Sequence, residues 1–409
     1  MNQILHLGLG RFHRGHQAVY YQKAGDIKVI SSTMRSAEER KKLREVNLRY
    51  PVLELSHDSE KLTWIDCIED ALSLKDDLDK LLKVFTDPHT SIVTLTVTEK
   101  GYCLDQSGKL DLNHESIQLD LIHPERPMSA IGFIALGLRN RKSELTIISC
   151  DNLRENGKKL EAAVYIFMEK CGVDTAWFQS NVTFPNTMVD RIVPALLPDK
   201  ITELEKQFGL SHSELIATEK FSQWVIEDRF ATDRPDWDKV GVQFVSDVRP
   251  FEEMKLRLLN ASHSYLAYAG LNRGYQFVHE AISDDSLHTH VNNMLKQEVI
   301  PLLPIPEGFD VEAYVDQLIS RFRNNKLPHQ LKQIAMDGSQ KMPQRIFSSI
   351  AEAKLKNTPH ALLLMATDEW MNFLWNSRES KIDDPKAAEL LKDIGLGKEQ
   401  WKSNLLKRF

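Results

Sequence analysis

The sequence predicts an α/β domain over residues 1–245 followed by a mostly α-helical domain over residues 246–409. Three observations lead there. The N-terminus reads as strand, glycine turn and helix in ILHLGLGRFHRGHQAVYY. Short β-branched runs recur between amphipathic stretches, most strongly in SIVTLTVT, Ser91 to Thr98. Beyond Pro250 nearly every segment has helical periodicity. A chain of 409 residues has the length for two domains, or three.

Ile4 to Gly8 is a short buried strand, followed by Gly8-Leu9-Gly10-Arg11-Phe12-His13-Arg14-Gly15-His16 and a helix through Val19. That order presents backbone N–H groups to a pyrophosphate. The match to G-x-G-x-x-G is imperfect: His13 holds the third glycine's place and Gly15 comes two residues late. His13 and His16 read as packing or capping groups in the turn. Lys28 to Ser32 is a second strand. Arg35 and Glu38 follow where a ribose-binding group belongs: Glu38 suits the hydroxyls of NAD, and Arg35 an adenine face or a 2′-phosphate. Glu38 reads as readily as the start of the charged helical face ERKKLRE.

Pro51 to Ile68 suggests further strands, Ser73 to Phe85 an amphipathic helix, and Ser91 to Thr98 a strand ending in Glu99-Lys100-Gly101. Met128 to Arg139 is helical. Leu145 to Ser149 is a strand whose carboxyl end carries Cys150-Asp151-Asn152, and Gly157 to Lys170 is a helix. In doubly wound sheets ligands bind at the carboxyl ends of strands, which brings forward Asn152. Glu219 to Phe230 reads as a strand and its exit loop, with Asp228 its notable polar group. Helices are expected at Phe251 to Leu271, Tyr275 to Ile282, His288 to Val299, Val311 to Phe322, Gln344 to Leu355 and His360 to Asn376. His288 and His290 are expected on the surface.

Composition bounds the partners. The 42% apolar content supports real cores, and 27% charged residues is ordinary for a soluble protein. A net charge of -6 argues against nucleic acid or an anionic membrane, while leaving room for a local basic pocket. Cys67, Cys103, Cys150 and Cys171 show no C-x-x-C and fit reduced cytosolic thiols. The expected location is the cytoplasm. The first residues run straight into a strand, with no room for a signal peptide, and no apolar run approaches the roughly 20 residues of a membrane span.

The stretch Lys255 to His263, KLRLLNASH, carries the most chemistry. In a helix each residue turns by roughly 100°, so Asn260 lies about 140° and His263 about 80° round from Lys255, on one broad face. Leu256, Leu258 and Leu259 surround them and exclude water. An ammonium there loses hydration, its pKa falls and it can act as a base, while an amide NH₂ can donate to an alkoxide. By itself the stretch reads more readily as an amphipathic helix with a solvated lysine.

Seven motifs in order change that balance: HLGLGRFHRGHQAVY, TLTVTEKGYC, SCDNLRENG, FPNTMVDRIVP, QWVIEDRF, KLRLLNASHS and QIAMDGSQKMPQR. Together they resemble the polyol-specific long-chain dehydrogenases/reductases, the mannitol dehydrogenase family, from about Ile4 to about Trp375. The resemblance implies a Rossmann-type domain, then a mostly α-helical C-terminal domain. It implies an NAD-dependent oxidoreductase, NADP not excluded, that interconverts a keto-sugar or hexuronate with its polyol or sugar acid and needs no metal.

Residue by residue, the motif K-x4-N-x2-H falls on Lys255, Asn260 and His263. The resemblance makes Lys255 the general acid/base. Asn260, with Asn186 of FPNTMVD, would hold the reacting oxygen, and His263 would position hydroxyls or tune Lys255. Glu252 matches a proton gate, and Asp228 and Lys341 match substrate contacts, with Asn152 beside them. Gly8, Gly10 and Phe12 of the glycine turn, with Arg35 and Glu38, would hold NAD. Gln333 stands where the mannitol dehydrogenase branch usually has an arginine, and QIAMDGSQKMPQR looks more like fructuronate reductase. The leading reading is therefore the fructuronate and mannonate reaction. The second is a mannitol or arabinitol dehydrogenase, and a third, of another class, is a catalytically silent NAD-binding sugar sensor. A monomer or weak homo-oligomer is expected.

Overall fold

The apolar runs become strands, and the β-branched run Thr90–Leu95 lies in the middle of the largest sheet. The computed structural model describes residues 2–105, 107–210, 214–306, 308–380 and 382–409. It divides into two compact units, Met1–Leu55 with Ser59–Val248, and Ser56–Asp58 with Arg249–Phe409. No helix among the described residues is long and apolar enough to cross a membrane.

In the first unit the strands are β1 Asn2–Leu7, β2 Ile27–Thr33, β3 Tyr50–Leu55, β4 Glu60–Ile65, β5 Ile68–Ser73, β6 Thr90–Leu95, β7 Leu145–Ser149, β8 Val182–Thr183, β9 Thr187–Asp190, β10 Ile216–Glu219, β11 Gln223–Glu227 and β12 Gln243–Val245. The main helices are α1 Arg11–Gly15, α2 Gln17–Ala24, α3 Glu38–Glu45, α4 Leu78–Thr86, α5 Glu115–Ile122, α6 Ala130–Arg139 and α7 Asn156–Lys170. The main sheet has the order β5-β2-β1-β6-β7-β8 and is parallel throughout. That is the doubly wound order, whose switch point lies between β1 and β6. Alternation along β1 sends Leu5 and Leu7 to one core with Val93, Leu95 and Phe133, and Ile4 to the other with Val19, Val29, Trp224 and Trp237. Each fully buried Leu or Phe contributes about 2 kcal/mol to this packing.

Several boundaries move for identifiable reasons. The helix expected from Ser73 starts at Leu78, because Ser73 extends β5 and its N–H donates to the Asp77 carboxylate. The strand expected to reach Thr98 stops at Leu95. Beyond it the N–H groups of Val97 and Thr98 leave the ladder for the Asp151 carboxylate. The stretch Glu219 to Phe230 is shared by two small sheets. One is β10-β3-β4, the other β12-β11-β9.

The second unit is helical. The helix Ala261–Asn272 is buried from Ala261 to Gly270 and packs against Ala361–Asn376, Leu331–Ala335 and Val278–Ser283. A helix buried all round is a core element. The segment before it, Lys255–Asn260, is π-helical, as are Met294–Val299 and Pro343–Phe347. Ala261 N–H accordingly donates to Leu256 O, five residues back. A π turn rotates less per residue than the α-helix expected here. His290 is not on the surface. It shares an inward face with Leu287 and Val291, stacks on Tyr265 at 4.2 Å and meets Leu362 O at 3.1 Å. His288 is half-buried.

Candidate active site

At the switch point of the main sheet lies a cavity of about 310 Å³. It is lined by Gly8, Leu9 and Gly10, by Thr96 to Thr98, by Arg35 and Ser36, and by Ser129 and Ala130 at the start of α6. Gly8 has φ +108, and a Cβ there would lie 2.0 Å from Thr96 O. Only glycine allows so close an approach of the two strand ends. Beyond Gly10 the first N–H groups of α1 have no intrahelical partner and face the turn.

His13, in the third glycine's place, stacks on His6 at 3.4 Å and meets Ser31 Oγ at 3.1 Å. Burial pushes His6 down to about 3 and His13 well below the ordinary range, so both rings are neutral. Gly15, two residues late, does the close packing instead: a Cβ there would lie 3.0 Å from Ile216, Thr218 and Val193 side chains. His16 stacks on Phe12 at 5.0 Å, and its Nε2 meets Gln223 O at 3.0 Å.

Of the residues expected at the cofactor, Gly8, Gly10 and Arg35 line the cavity, and Phe12 and Glu38 do not. Phe12 packs against the core that holds Trp224 and Trp237. Glu38 lies on the exposed side of α3, where it pairs with Lys42 one turn on at 2.7 Å. The acidic residue that the helix turns toward the cavity is its neighbour Glu39, paired with buried Arg14 at 2.6 Å. The signal was present as the EE pair at the helix start; which of the two faces inward depends on the helix's rotation.

The cavity wall at Val97 and Thr98 is fastened by a residue the sequence reading passed over. Buried Asp151, at the end of β7, accepts from Val97 N at 2.9 Å, Thr98 N at 2.8 Å and Tyr102 OH at 2.8 Å. Its neighbour Asn152, the residue singled out, is exposed. Burial pushes the Asp151 carboxyl up to about 6. A carboxyl raised above its unfolded value stabilises the fold most below about pH 4 and loses that contribution as pH rises through about 6. Between pH 5 and 7.5 the loss is on the order of 1 kcal/mol. Thermal melts of wild type and Asp151→Asn at both pH values should therefore converge at the higher one. A gap that widens as pH rises would contradict this.

Asn186 precedes β9 and is buried, as is Glu227 at the end of β11. Asn186 Nδ2 donates to Glu227 Oε1 at 3.0 Å, and its Oδ1 accepts from Lys158 N at 3.1 Å. Deeper still, Asn156 Nδ2 reaches Ser149 O, Asp151 O and Thr187 O and ties the ends of β7 and β9 together. Asp228 points outward, 3.8 Å from Arg234.

In the helical unit, Lys255 is half-buried and Glu252, Asn260 and His263 are buried. The π turn is pinned by Arg257, whose guanidinium donates to Ser349 Oγ at 2.9 Å and Glu352 Oε2 at 2.7 Å. Arg345 donates to Asn260 O at 3.2 Å and Ser264 Oγ at 3.1 Å. His263 lies 4.8 Å from the Phe322 ring and 5.5 Å from His329, edge on. His329 was not foreseen. Lys341 donates to Ile334 O at 3.3 Å, and in the same DGSQK segment Ser339 N–H is held by Asp384 at 2.7 Å. Among the described residues no group of three or more His, Cys, Asp or Glu is placed to hold a metal ion.

The doubly wound parallel sheet with its glycine turn has the architecture of the dinucleotide-binding class of proteins. Residues 2–239 match the Mannitol dehydrogenase Rossmann domain and residues 247–408 the Mannitol dehydrogenase C-terminal domain. The chain belongs to the mannitol dehydrogenase family. It is 42% identical to D-mannonate oxidoreductase of Escherichia coli K12 over 96% of this chain and 84% of that one. Mannitol 2-dehydrogenase of Phaeosphaeria nodorum is 35% identical, over 95% of this chain and 72% of that one. Among solved structures, the ternary complex of Pseudomonas fluorescens mannitol 2-dehydrogenase with NAD and D-mannitol superposes with a TM-score of 0.88 at 33% identity, over 99% of this chain and 86% of that one. Substrate-free D-sorbitol dehydrogenase gives a TM-score of 0.84 at 32% identity, over 91% and 80%.

Proposed function

We propose that this oxidoreductase uses NAD to interconvert a hexuronate ketone with its sugar acid, a reaction of the fructuronate and mannonate type. The observation that carries the reading is the 42% identity over 96% of the chain to D-mannonate oxidoreductase. The electrostatics of the helical unit support it. Burial holds His263 far below the ordinary range, and His329, Arg321, Arg345 and Lys255 push it further. Lys341 acts in the same sense on His329, which burial lowers to about 4. Positive charge gathered about two neutral imidazoles suits a substrate that carries a carboxylate.

The cavity of the first unit suits a dinucleotide, because Gly8 and Gly10 leave the backbone bare there and Arg35 is among its lining residues. NAD, when bound, supplies the hydride acceptor, and its reduced form the donor. Lys255 takes the hydroxyl proton in oxidation and returns it in reduction. Asn186 and Asn260 donate to the oxygen on which charge builds. His263 orients the neighbouring hydroxyls, Glu252 passes the proton toward solvent, and Lys341, Asp228 and Asn152 contact the substrate.

A mannitol or arabinitol dehydrogenase is the second reading, favoured by the superposition on the mannitol complex. NADH oxidation with fructuronate, fructose, tagaturonate and xylulose, repeated with NADPH, tests both. Turnover with fructuronate alone is expected. Turnover with fructose or xylulose instead would overturn the uronate reading. Silence with all four in protein that still binds NADH would favour the sugar-sensor reading.

A further inference from the structure

We propose that Glu227 is a positioning residue that locks the Asn186 amide as a donor to the reacting oxygen. This rests on the role proposed above for Asn186. An amide turned by half a rotation presents its oxygen where its nitrogen was. In that orientation Asn186 would repel an alkoxide. Two contacts exclude it. The Lys158 backbone N–H can only donate, so the atom it meets at 3.1 Å is Oδ1. The Glu227 carboxylate accepts, so the atom it meets at 3.0 Å is Nδ2. One N–H of Nδ2 is then committed to Glu227, and the other is the donor left for a substrate oxygen.

The backbone makes the arrangement rigid. β9 and β11 pair antiparallel with Thr187 opposite Ile226, which sets Asn186 against Glu227. Glu227 N–H donates to Asn186 O at 3.0 Å, and Glu227 Oε2 accepts from Asn186 N at 3.2 Å. The carboxylate thus grips Asn186 twice, by side chain and by backbone. Glu227 is 6% exposed and Asn186 1%, so water does not compete for these bonds. Arg229 NH1 stands 3.9 Å from Glu227 Oε2 and partly offsets its charge. A carboxylate behind the amide also polarises it, which strengthens the remaining N–H as a donor. No neutral acceptor of the same size does both.

The test is a double-mutant cycle on the full-length enzyme with NADH and fructuronate. Glu227→Gln keeps the size and loses one of the two acceptors. Loss of one oxyanion donor lowers kcat by about 100-fold or more, and a misoriented one should cost about 30-fold, with KM changed far less. Asn186→Ala should be slower still. In the double variant, Glu227→Gln should cost nothing further, within about two-fold, because its effect passes through an amide no longer there. A structural role alone would lower the melting temperature and leave kcat per folded molecule unchanged. Full kcat in Glu227→Gln beside a slow Asn186→Ala overturns the proposal and spares the role of Asn186. Losses that multiply in the double variant also overturn it. Wild-type kcat in Asn186→Ala removes both. Should Glu227→Gln fail to fold, Glu227→Asp takes its place in the cycle, with a smaller loss expected.

Discussion

Lys255→Ala is expected to lower kcat by about a thousand-fold while leaving the fold in place. General acid–base groups supply roughly a hundred- to ten-thousand-fold. Lys255 is half-buried on the π-helical turn, and the packing of that turn comes from Leu258, Leu259 and the anchored Arg257. Alanine removes the ammonium without removing those contacts. Steady-state rates in both directions, read beside a thermal melt, check the prediction. On the proposed acid/base role the loss should be alike in oxidation and reduction, since one group would carry the proton both ways. Near-normal turnover in a folded variant would take the acid/base role away from Lys255. Partial recovery by small primary amines added to the alanine variant would support it.

The second large effect belongs to Gly8. Gly8→Ala should weaken NADH binding by more than ten-fold and destabilise the first unit. Its φ of +108 is one that L side chains rarely adopt, and the new Cβ would fall 2.0 Å from Thr96 O. Strain of this kind costs about 1–3 kcal/mol before the collision is counted. The chain must then part at the junction of β1 and β6, where the cavity opens. Gly10 is the informative comparison. Its nearest potential neighbour is Gly8 O at 3.9 Å, so Gly10→Ala should fold normally. Any loss of NADH binding there would report how closely a ligand approaches the backbone. Titration of NADH fluorescence with both variants separates the two causes. Wild-type affinity in Gly8→Ala would mean the turn is not part of the cofactor site.

The main sheet was legible because a parallel strand buried on both faces must be apolar along its length. Ile4 to Leu7 and Leu145 to Ser149 announce themselves largely that way, while Lys28 to Ser32 shows it only at Val29 and Ile30. The small sheets were not legible. β10 pairs with β3 far back in the chain, Ile216 beside Val52, and nothing local in either strand specifies that register. Lys255, Asn260 and His263 share one short motif and could be read together. Glu227 and Asp151 could not, though they stand in QWVIEDRF and SCDNLRENG. Their importance lies in buried partners contributed by distant strands. Glu38 and Glu39 differ only in helix rotation, and His290 only in which face its helix turns inward. Such distinctions arise from packing.

The π turn at Lys255 makes chain length itself a constraint. Its i→i+5 bonds accommodate one residue more than an α-helix would between the same flanking turns. Removal of a single residue there lets the segment tighten into an ordinary α-helix. An α-helix wound from the same number of residues would instead turn everything upstream, Lys255 and Glu252 included, by roughly 100° relative to His263. Side-chain substitutions leave that phase untouched. Lys255 is thus held at its angle by a count of residues, and the helix behaves at this point as a vernier.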